Sequence, residues 1–425
     1  MKNVAIVGAG PIGLAAGANL LERGIPFTIL EAGETAASSV KAWGHVALFS
    51  PWRHLIDPAS RRLLEANGWH EPAGLDRAPT GDQLVELYLE PLAALLAEHV
   101  RVNARVTAIS RRGMDRTRST HRAETPFIVR SSDADIEASA VIDASGTYLS
   151  PNSLASNGLE PRGLDSVAGL ISPALPDVLG SDRHRFSGKR VVVAGAGHSA
   201  ATTLLALVDL KRLDPATSVS WVIRNATAVR VFTPESDELP DRAGLGSRLR
   251  AAVEGGEIEL VPEFEIESFE RRGERAIIHS ATRSLEADVI VSATGFRPDL
   301  SLEREIRLDL DEVVEAPRKL APLIDPNVHS CGTVEPHGFA ELQHPEPDFF
   351  IAGMKSYGRA PTFLLATGYE QVRSIAAHLA GDEAAARAVE LTLPATGACS
   401  TNAPQPVLIG VGAGTSAPAQ SSCCS

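Results

Sequence analysis

Residues 4–24, "VAIVGAGPIGLAAGANLLERG", decide the fold. Four apolar residues make a short buried strand. Gly8-Ala9-Gly10-Pro11-Ile12-Gly13 then turns directly into a helix-forming run. Gly8 permits the tight turn, Gly10 lets a pyrophosphate approach the backbone, and Gly13 lets helix and strand pack closely. Pro11 and Ile12 open the helix, whose free N–H groups and positive end suit phosphate. A second strand, "FTILEA", ends in Glu31 and Ala32, where a carboxylate would accept the ribose hydroxyls of an adenosine. A bare strand–turn–helix could carry the glycines alone. Strand, three glycines and acid together point to a bound dinucleotide.

The same unit recurs at residues 190–210, "RVVVAGAGHSAATTLLALVDL". Gly195, Gly197, His198 and Ser199 occupy the turn, with Ala200 in the third glycine's place. The next strand, "SVSWVIRN", ends in Arg224 instead of an acid. A carboxylate would repel a 2′-phosphate and an arginine would pair with it, so this site predicts NADPH over NADH. Arg230 is a second candidate for that contact. The competing reading of Arg224 is a solvated arginine at a strand end.

Two further segments place small residues after a strand: "AVIDASGTYLSP" with Ala144, Ser145 and Gly146, and "DVIVSATGFRPD" with Ala293, Thr294 and Gly295. Such residues mark close passage of the chain by a cofactor or between domains. They bracket the second glycine turn. The expected fold is therefore α/β, with two Rossmann-like three-layer domains and the NADPH domain inserted in the FAD domain. The expected boundaries are 1–150 and 297–393 for FAD, 151–296 for NADPH, and 394–425 for a flexible tail.

On these motifs the chain resembles flavoproteins with two dinucleotide-binding domains, most of all the NADPH-using flavin-dependent monooxygenases. The resemblance covers residues 1 to about 390. It implies FAD and NADPH as cofactors, with an oxygen atom from O2 passing to a nucleophilic sulfur, nitrogen or trivalent arsenic. It places "KAWGHVALFSPWRHLIDP", residues 41–58, beside the isoalloxazine, with Trp43, His45, Phe49 and Trp52 as wall candidates or plain core. It adds Val106 to the FAD-binding positions. It reads residues 348–371 as the last strand and helix of the FAD domain, with Gly353 and Thr362 near the flavin. "VVVAGAGHSAATTLLALV", "LIDPNVHSCGTVEPHG", "GMKSYGRAPTFLLATGYEQVRSIA" and the "CCS" ending also resemble flavoproteins of bacterial arsenic-resistance operons.

Two departures narrow this. The first linker, "GLISPALPDVLG" at 169–180, lacks the Phe-x-Gly-x-x-x-His signature of many such monooxygenases. Neither Cys-x-x-Cys nor Cys-x4-Cys appears beside the flavin motifs, so no relay disulfide is expected there.

The four cysteines are 331, 399, 423 and 424. They make no disulfide framework, and a reducing cytoplasm fits. Cys423 and Cys424 are adjacent thiols on a tail poor in apolar residues, suited to chelating a soft ion such as trivalent arsenic or mercury. With Cys331 they are the candidate catalytic thiols, against the reading of inert surface thiols. A tail reaching a neighbour's flavin would require a homodimer. Ser422 stands where a prenylation box needs cysteine. The spacing of His329, His337 and His344 around Cys331 matches no zinc module, and no metal site is expected.

Net charge is −13 over 425 residues, which argues against nucleic acid as partner. The basic run Arg111–Arg122 reads as a solvated loop. No signal peptide or membrane span is expected. Residues 80–98 predict an amphipathic helix capped by Thr80, with Leu84, Leu87, Leu92 and Leu95 on one face, and 370–380 the last helix. Beside the monooxygenase stand two other readings. One is an NADPH-dependent reductase of a thiol-bound metalloid or disulfide using the tail cysteines. The other is a metalloid-sensing flavoprotein.

Overall fold

The computed structural model describes residues 3–228, 240–325, 336–361 and 363–391. Its first half runs β1 (Val4–Val7), α1 (Pro11–Glu22), β2 (Phe27–Leu30), β3 (Val100–Arg101), β4 (Val106–Arg111), β5 (Phe127–Ser131), β6 (Asp135–Ala138) and β7 (Ala140–Asp143). The second unit holds β8 (Ile171–Ser172), β9 (Arg190–Ala194), β10 (Ser218–Val222), β11 (Glu259–Val261), β12 (Ser268–Arg272), β13 (Arg275–His279), β14 (Ser284–Ala287) and β15 (Val289–Ser292). β16 (Phe349–Ile351) then returns to the first sheet.

The two main sheets have the orders β16-β7-β1-β2-β3 and β11-β10-β9-β15-β8, all parallel. In each, the strand before the glycine turn is central. Each also carries a three-stranded antiparallel sheet, β4-β5-β6 or β12-β13-β14. The second sheet lies wholly between β7 and β16 of the first. The central strands are apolar, apart from Arg190 at the start of β9, because both faces are covered.

The helix expected at 80–98 forms, but its stripe differs. Thr80 caps it and exchanges bonds with Gln83. Val85–Leu89 then makes one wide π turn. Pro91 has no N–H to give the Leu87 carbonyl, which instead accepts the Trp69 indole at 2.8 Å. The extra residue rotates the face: Leu84 and Leu92 are buried, whereas Leu87 and Leu95 are exposed, replaced inside by Val85, Tyr88 and Leu89. The last long helix runs Leu365–Leu379, starting five residues before the expected 370.

The basic stretch is not a solvated loop at its two ends. Arg111 and Arg122 are buried and converge on Glu346, with bonds of 2.8 Å each. Their remaining N–H groups reach the carbonyls of Thr125, Pro347, Asp115 and Glu305. Charge had suggested solvent, but a shared carboxylate and four carbonyls satisfy both guanidiniums inside. Burial raises Glu346, and the two arginines more than reverse this, holding it below the usual carboxylate range.

No helix among the described residues is long and apolar enough to cross a membrane.

Candidate functional site

The two glycine turns are built alike. Gly8 has φ +97°, and a Cβ there would meet the Ala144 carbonyl oxygen at 2.8 Å. Gly195 has φ +132°, and its Cβ would collide with the Ala293 carbonyl oxygen. This explains the two Ala-Ser/Thr-Gly segments: each follows the strand paired beside a glycine turn and presses its first carbonyl into it. A Cβ on Gly13 would run into the Gly8 carbonyl, whereas one on Gly10 would meet nothing within 4 Å. Gly10 is thus the open approach. Neither α1 nor the helix His198–Leu213 has a side-chain cap. Gly10 and Gly197, at the two caps, offer no side-chain acceptor to the helix N–H groups, the arrangement that suits a phosphate there.

Glu31 is almost buried at the end of β2. It accepts the Ala9 N–H at 2.7 Å on one carboxylate oxygen and the Gly33 N–H at 2.8 Å on the other. Each oxygen keeps capacity for a hydroxyl. Ala32 follows it, and Val106 is buried in the cluster that includes Val7 and Leu30. These residues fit the adenosine half of FAD.

On the flavin half, Gly353 follows β16 and a Cβ there would meet Ile12 at 3.0 Å. Its N–H donates to Gln371 Oε1 at 2.7 Å, and its carbonyl accepts from Ser356 Oγ at 2.7 Å. Gln371 Nε2 also contacts Ser356 Oγ and His337 Nε2, at 2.9 Å each. The helix Leu365–Leu379 also lacks a side-chain cap, and Ile12 touches its Gly368. Two open helix starts therefore flank Gly353.

The aromatic candidates in 41–58 separate. Trp52 is buried core. Trp43 is half-buried against Gly81. His45 is exposed. Phe49 packs its edge on His198, the first residue of the helix after the second glycine turn, with ring centroids 5.3 Å apart.

In the second unit, Trp221 is buried on β10 and donates its indole N–H to the Gly195 carbonyl at 2.7 Å. Ser199 stands in the first turn of the helix His198–Leu213, and Arg224 is exposed just past β10. The two linkers meet at a single antiparallel bridge, Pro151 to Phe296. Asn152 donates to the Thr294 carbonyl at 3.1 Å, and Thr294 Oγ1 returns a bond of 3.0 Å. The Gly295 carbonyl accepts the Asn152 N–H at 2.9 Å.

Sequence reasoning did not find Lys355, Asp143 and Glu303. Lys355 Nζ lies 2.6 Å from Asp143 and 2.8 Å from Glu303, and all three side chains are fully buried. Nor did it find Trp221 or Gln371. A lysine in "AGMKSYG" and an acid closing "AVID" were the available signals; their pairing over 212 residues was not.

Thr362, Arg230, Cys331, Cys399, Cys423 and Cys424 lie outside the described residues, as does His329. His337 bonds Gln371, and His344 accepts the Asp309 N–H at 3.2 Å. No group of three metal-ligating side chains occurs among the described residues. A cavity of about 270 Å3 opens beside Arg190, Lys211 and Ser218, at the starts of β9 and β10. The glycine turns lie at the carboxyl ends, where α/β sheets bind ligands, so this cavity is a surface cleft elsewhere.

Residues 5–331 match the family described as pyridine nucleotide-disulphide oxidoreductase. The chain belongs to that family. It is an FAD- and NADPH-dependent oxidoreductase of the two-domain flavoprotein fold. A ferredoxin–NADP reductase of Acidiphilium cryptum is 29% identical over 312 residues, 70% of this chain and 74% of that one. The indole-3-pyruvate monooxygenase YUCCA1 of rice is 31% identical over 232 residues, 53% of this chain and 48% of that one. Among solved structures, the bacillithiol disulfide reductase of Bacillus cereus superposes with a TM-score of 0.64 at 18% identity, covering 89% of this chain and 99% of that one. Unlike the family's name, the described part of this oxidoreductase contains no cysteine.

Proposed function

We propose that this flavoprotein is an NADPH-dependent monooxygenase acting on a soft nucleophilic centre: sulfur, nitrogen or trivalent arsenic. The balance is NADPH, a proton, O2 and substrate giving NADP+, water and the oxygenated substrate. The observation that carries the reading is the cysteine distribution. All four cysteines fall at or beyond residue 331, so no described segment around the flavin cleft offers a dithiol for disulfide relay.

Bound FAD supplies the two-electron link between NADPH and O2. The chain supplies position. The α1 start and Gly10 receive the FAD pyrophosphate, and Glu31 the ribose. The helix start at His198 receives the NADPH pyrophosphate, held in shape by Trp221, and Arg224 meets the 2′-phosphate. Phe49 and His198 close the cleft between the two sites and limit water there. No acid–base side chain need touch a substrate whose lone pair is itself the nucleophile.

A role in arsenic resistance within the cytoplasm follows from the same reading, with Cys423 and Cys424 delivering the metalloid. The second reading is an NADPH-dependent reductase in which those thiols, from the same chain or from a homodimer partner, shuttle substrate to the flavin. It is favoured by the adjacency of the two thiols, since paired donors chelate soft ions. A third outcome, prompted by the Acidiphilium relative, is electron delivery to a one-electron carrier.

NADPH oxidation with and without O2, across arsenite, methylarsenite, mercuric ion and a thioether, separates these. The monooxygenase requires O2 and couples its consumption to oxygenated product. Turnover without O2 that disappears in Cys423→Ser/Cys424→Ser would replace it with the reductase. Anaerobic turnover with a one-electron acceptor alone would replace it with the carrier role.

A further inference from the structure

We propose that Lys355, Asp143 and Glu303 are a positioning cluster for FAD that carries one shared proton and is therefore electrically neutral. This rests on the flavoprotein assignment alone, not on the choice between oxygenase and reductase.

The cluster ties together three separate segments. Asp143 closes β7; one carboxylate oxygen accepts the Ser145 N–H at 2.9 Å and the other bonds Lys355 at 2.6 Å. Lys355 Nζ also lies 3.4 Å from Ser145 Oγ. Ser145 Cα would sit 3.0 Å from a Cβ on Gly8, so the cluster's contacts end directly on the phosphate turn. Lys355 stands two residues past Gly353, the other segment bordering the α1 start. Glu303 belongs to the short helical turn Ser301–Glu303, on the chain returning from the second unit. Moving any member moves the walls of the FAD cleft.

The fold itself does not need these charges. The second unit repeats four of the strands, β15-β9-β10-β11 against β7-β1-β2-β3, and there Ser292 pairs with Ala194 just as Asp143 pairs with Val7. A serine suffices at the NADPH turn, whereas the FAD turn has a buried ion cluster. Buried ions are costly unless paired and hydrogen-bonded. Two carboxylates against one ammonium would leave a net negative charge beside the FAD pyrophosphate. A proton on Glu303, whose second carboxylate oxygen is buried without a hydrogen-bond partner, removes it. The chemistry of the groups agrees. Burial, then the neighbouring Asp143 charge, raises Glu303 well above the usual carboxylate range. Burial also opposes ionisation of Asp143, but the Lys355 ammonium and the Glu303 hydrogen bond hold it well below the usual carboxylate range. Lys355 stays charged, its two acids outweighing its burial. Asp299 also feels the cluster: hydrogen bonds from Ser301 chiefly lower it, with smaller opposing effects of Lys355, which lowers it, and Asp143, which raises it.

The test uses the full chain with FAD and the variants Glu303→Gln, Asp143→Asn and Lys355→Met. FAD dissociation constants and the midpoint potential of bound flavin are measured against pH, with NADP+ affinity as the control for folding. The protonated-carboxyl C=O stretch is followed by infrared difference spectroscopy. At neutral pH, Glu303→Gln, a neutral side chain of the same shape, weakens FAD far less than Asp143→Asn does and loses the carboxyl band. Asp143→Asn and Lys355→Met weaken FAD by about tenfold or more and shift the potential, with NADP+ affinity retained. At alkaline pH, as Glu303 ionises and the cluster turns negative, wild-type FAD affinity falls, and Glu303→Gln removes that fall. If Lys355→Met does not fold, the other two variants decide. Glu303→Gln as damaging as Asp143→Asn would overturn the shared proton. Wild-type FAD affinity and potential in Asp143→Asn would overturn the positioning role.

Discussion

Replacing Trp221 by phenylalanine should separate the two nucleotide sites energetically. The indole N–H donates to the Gly195 carbonyl at 2.7 Å from a fully buried position. Phenylalanine keeps most of the apolar packing and removes that donor. A lost buried hydrogen bond costs about 1–3 kcal/mol. The space left by the missing pyrrole edge adds about 1 kcal/mol, at roughly 24 cal/mol per Å3. The packing cost falls on the second sheet and lowers stability. The hydrogen-bond cost is confined to the glycine turn, which NADPH must find in shape, so it appears as affinity. NADP+ binding should weaken about 5- to 150-fold, since 1.4 kcal/mol is a factor of ten. FAD content should not change, because Gly195 and Gly8 lie in different sheets. Fluorescence titration with NADP+, flavin absorbance per chain and thermal melts together measure this. Unchanged NADP+ affinity with a lowered melting point would refute the reasoning, and parallel loss of FAD would show a global effect.

Gly13→Ala should abolish FAD retention, because its Cβ would run into the Gly8 carbonyl; normal flavin content after purification would contradict the packing. Arg224→Gln should lower the NADPH-over-NADH preference about tenfold to a hundredfold, the value of a charge-assisted bond to the 2′-phosphate. The ratio of kcat/KM for the two cofactors reads it, and an unchanged ratio assigns Arg224 to solvent. Asp57 gives a pH effect. Burial raises its carboxyl from 3.8 to about 6, against hydrogen bonds from Ser60 and Asn19. A raised acid contributes its stability below the unfolded value and loses it as pH rises through the folded one. Relative to wild type, Asp57→Asn should therefore gain up to about 3 kcal/mol as pH rises across that window, at 1.36 kcal/mol per unit. A pH-independent difference in urea denaturation would place the carboxyl at its ordinary value.

Much of this fold was legible because it is written in local patterns. A strand followed by three spaced glycines specifies its own turn, and the same pattern twice announces two sheets. The Ala144 and Ala293 segments were legible as small residues, and the structure gives the reason in the carbonyls they press against Gly8 and Gly195. What escaped was non-local. The wide turn in the helix after Thr80 depends on Pro91 freeing a carbonyl for Trp69, a residue on a preceding segment. Arg111 and Arg122 look solvated until Glu346 arrives from more than 220 residues away. Composition and period register neither.

The duplicated unit also separates what the fold requires from what a ligand requires. Features present in both copies belong to the fold and to phosphate binding: a central apolar strand, a glycine turn, an uncapped helix start, and an alanine carbonyl from the next strand. Features in one copy mark the difference between ligands. Glu31 ends β2, whereas an exposed Arg224 follows β10, matching a bare ribose against a phosphorylated one. Asp143 stands where Ser292 stands, and β16 leads Lys355 to it. On the proposed function, one site keeps FAD through reduction and reoxidation while the other exchanges NADPH for NADP+. A charged cluster made neutral by one proton suits the first task, since it fixes the cleft wall without adding a field. A single buried indole bond suits the second, since it shapes the turn while leaving the ligand free to go.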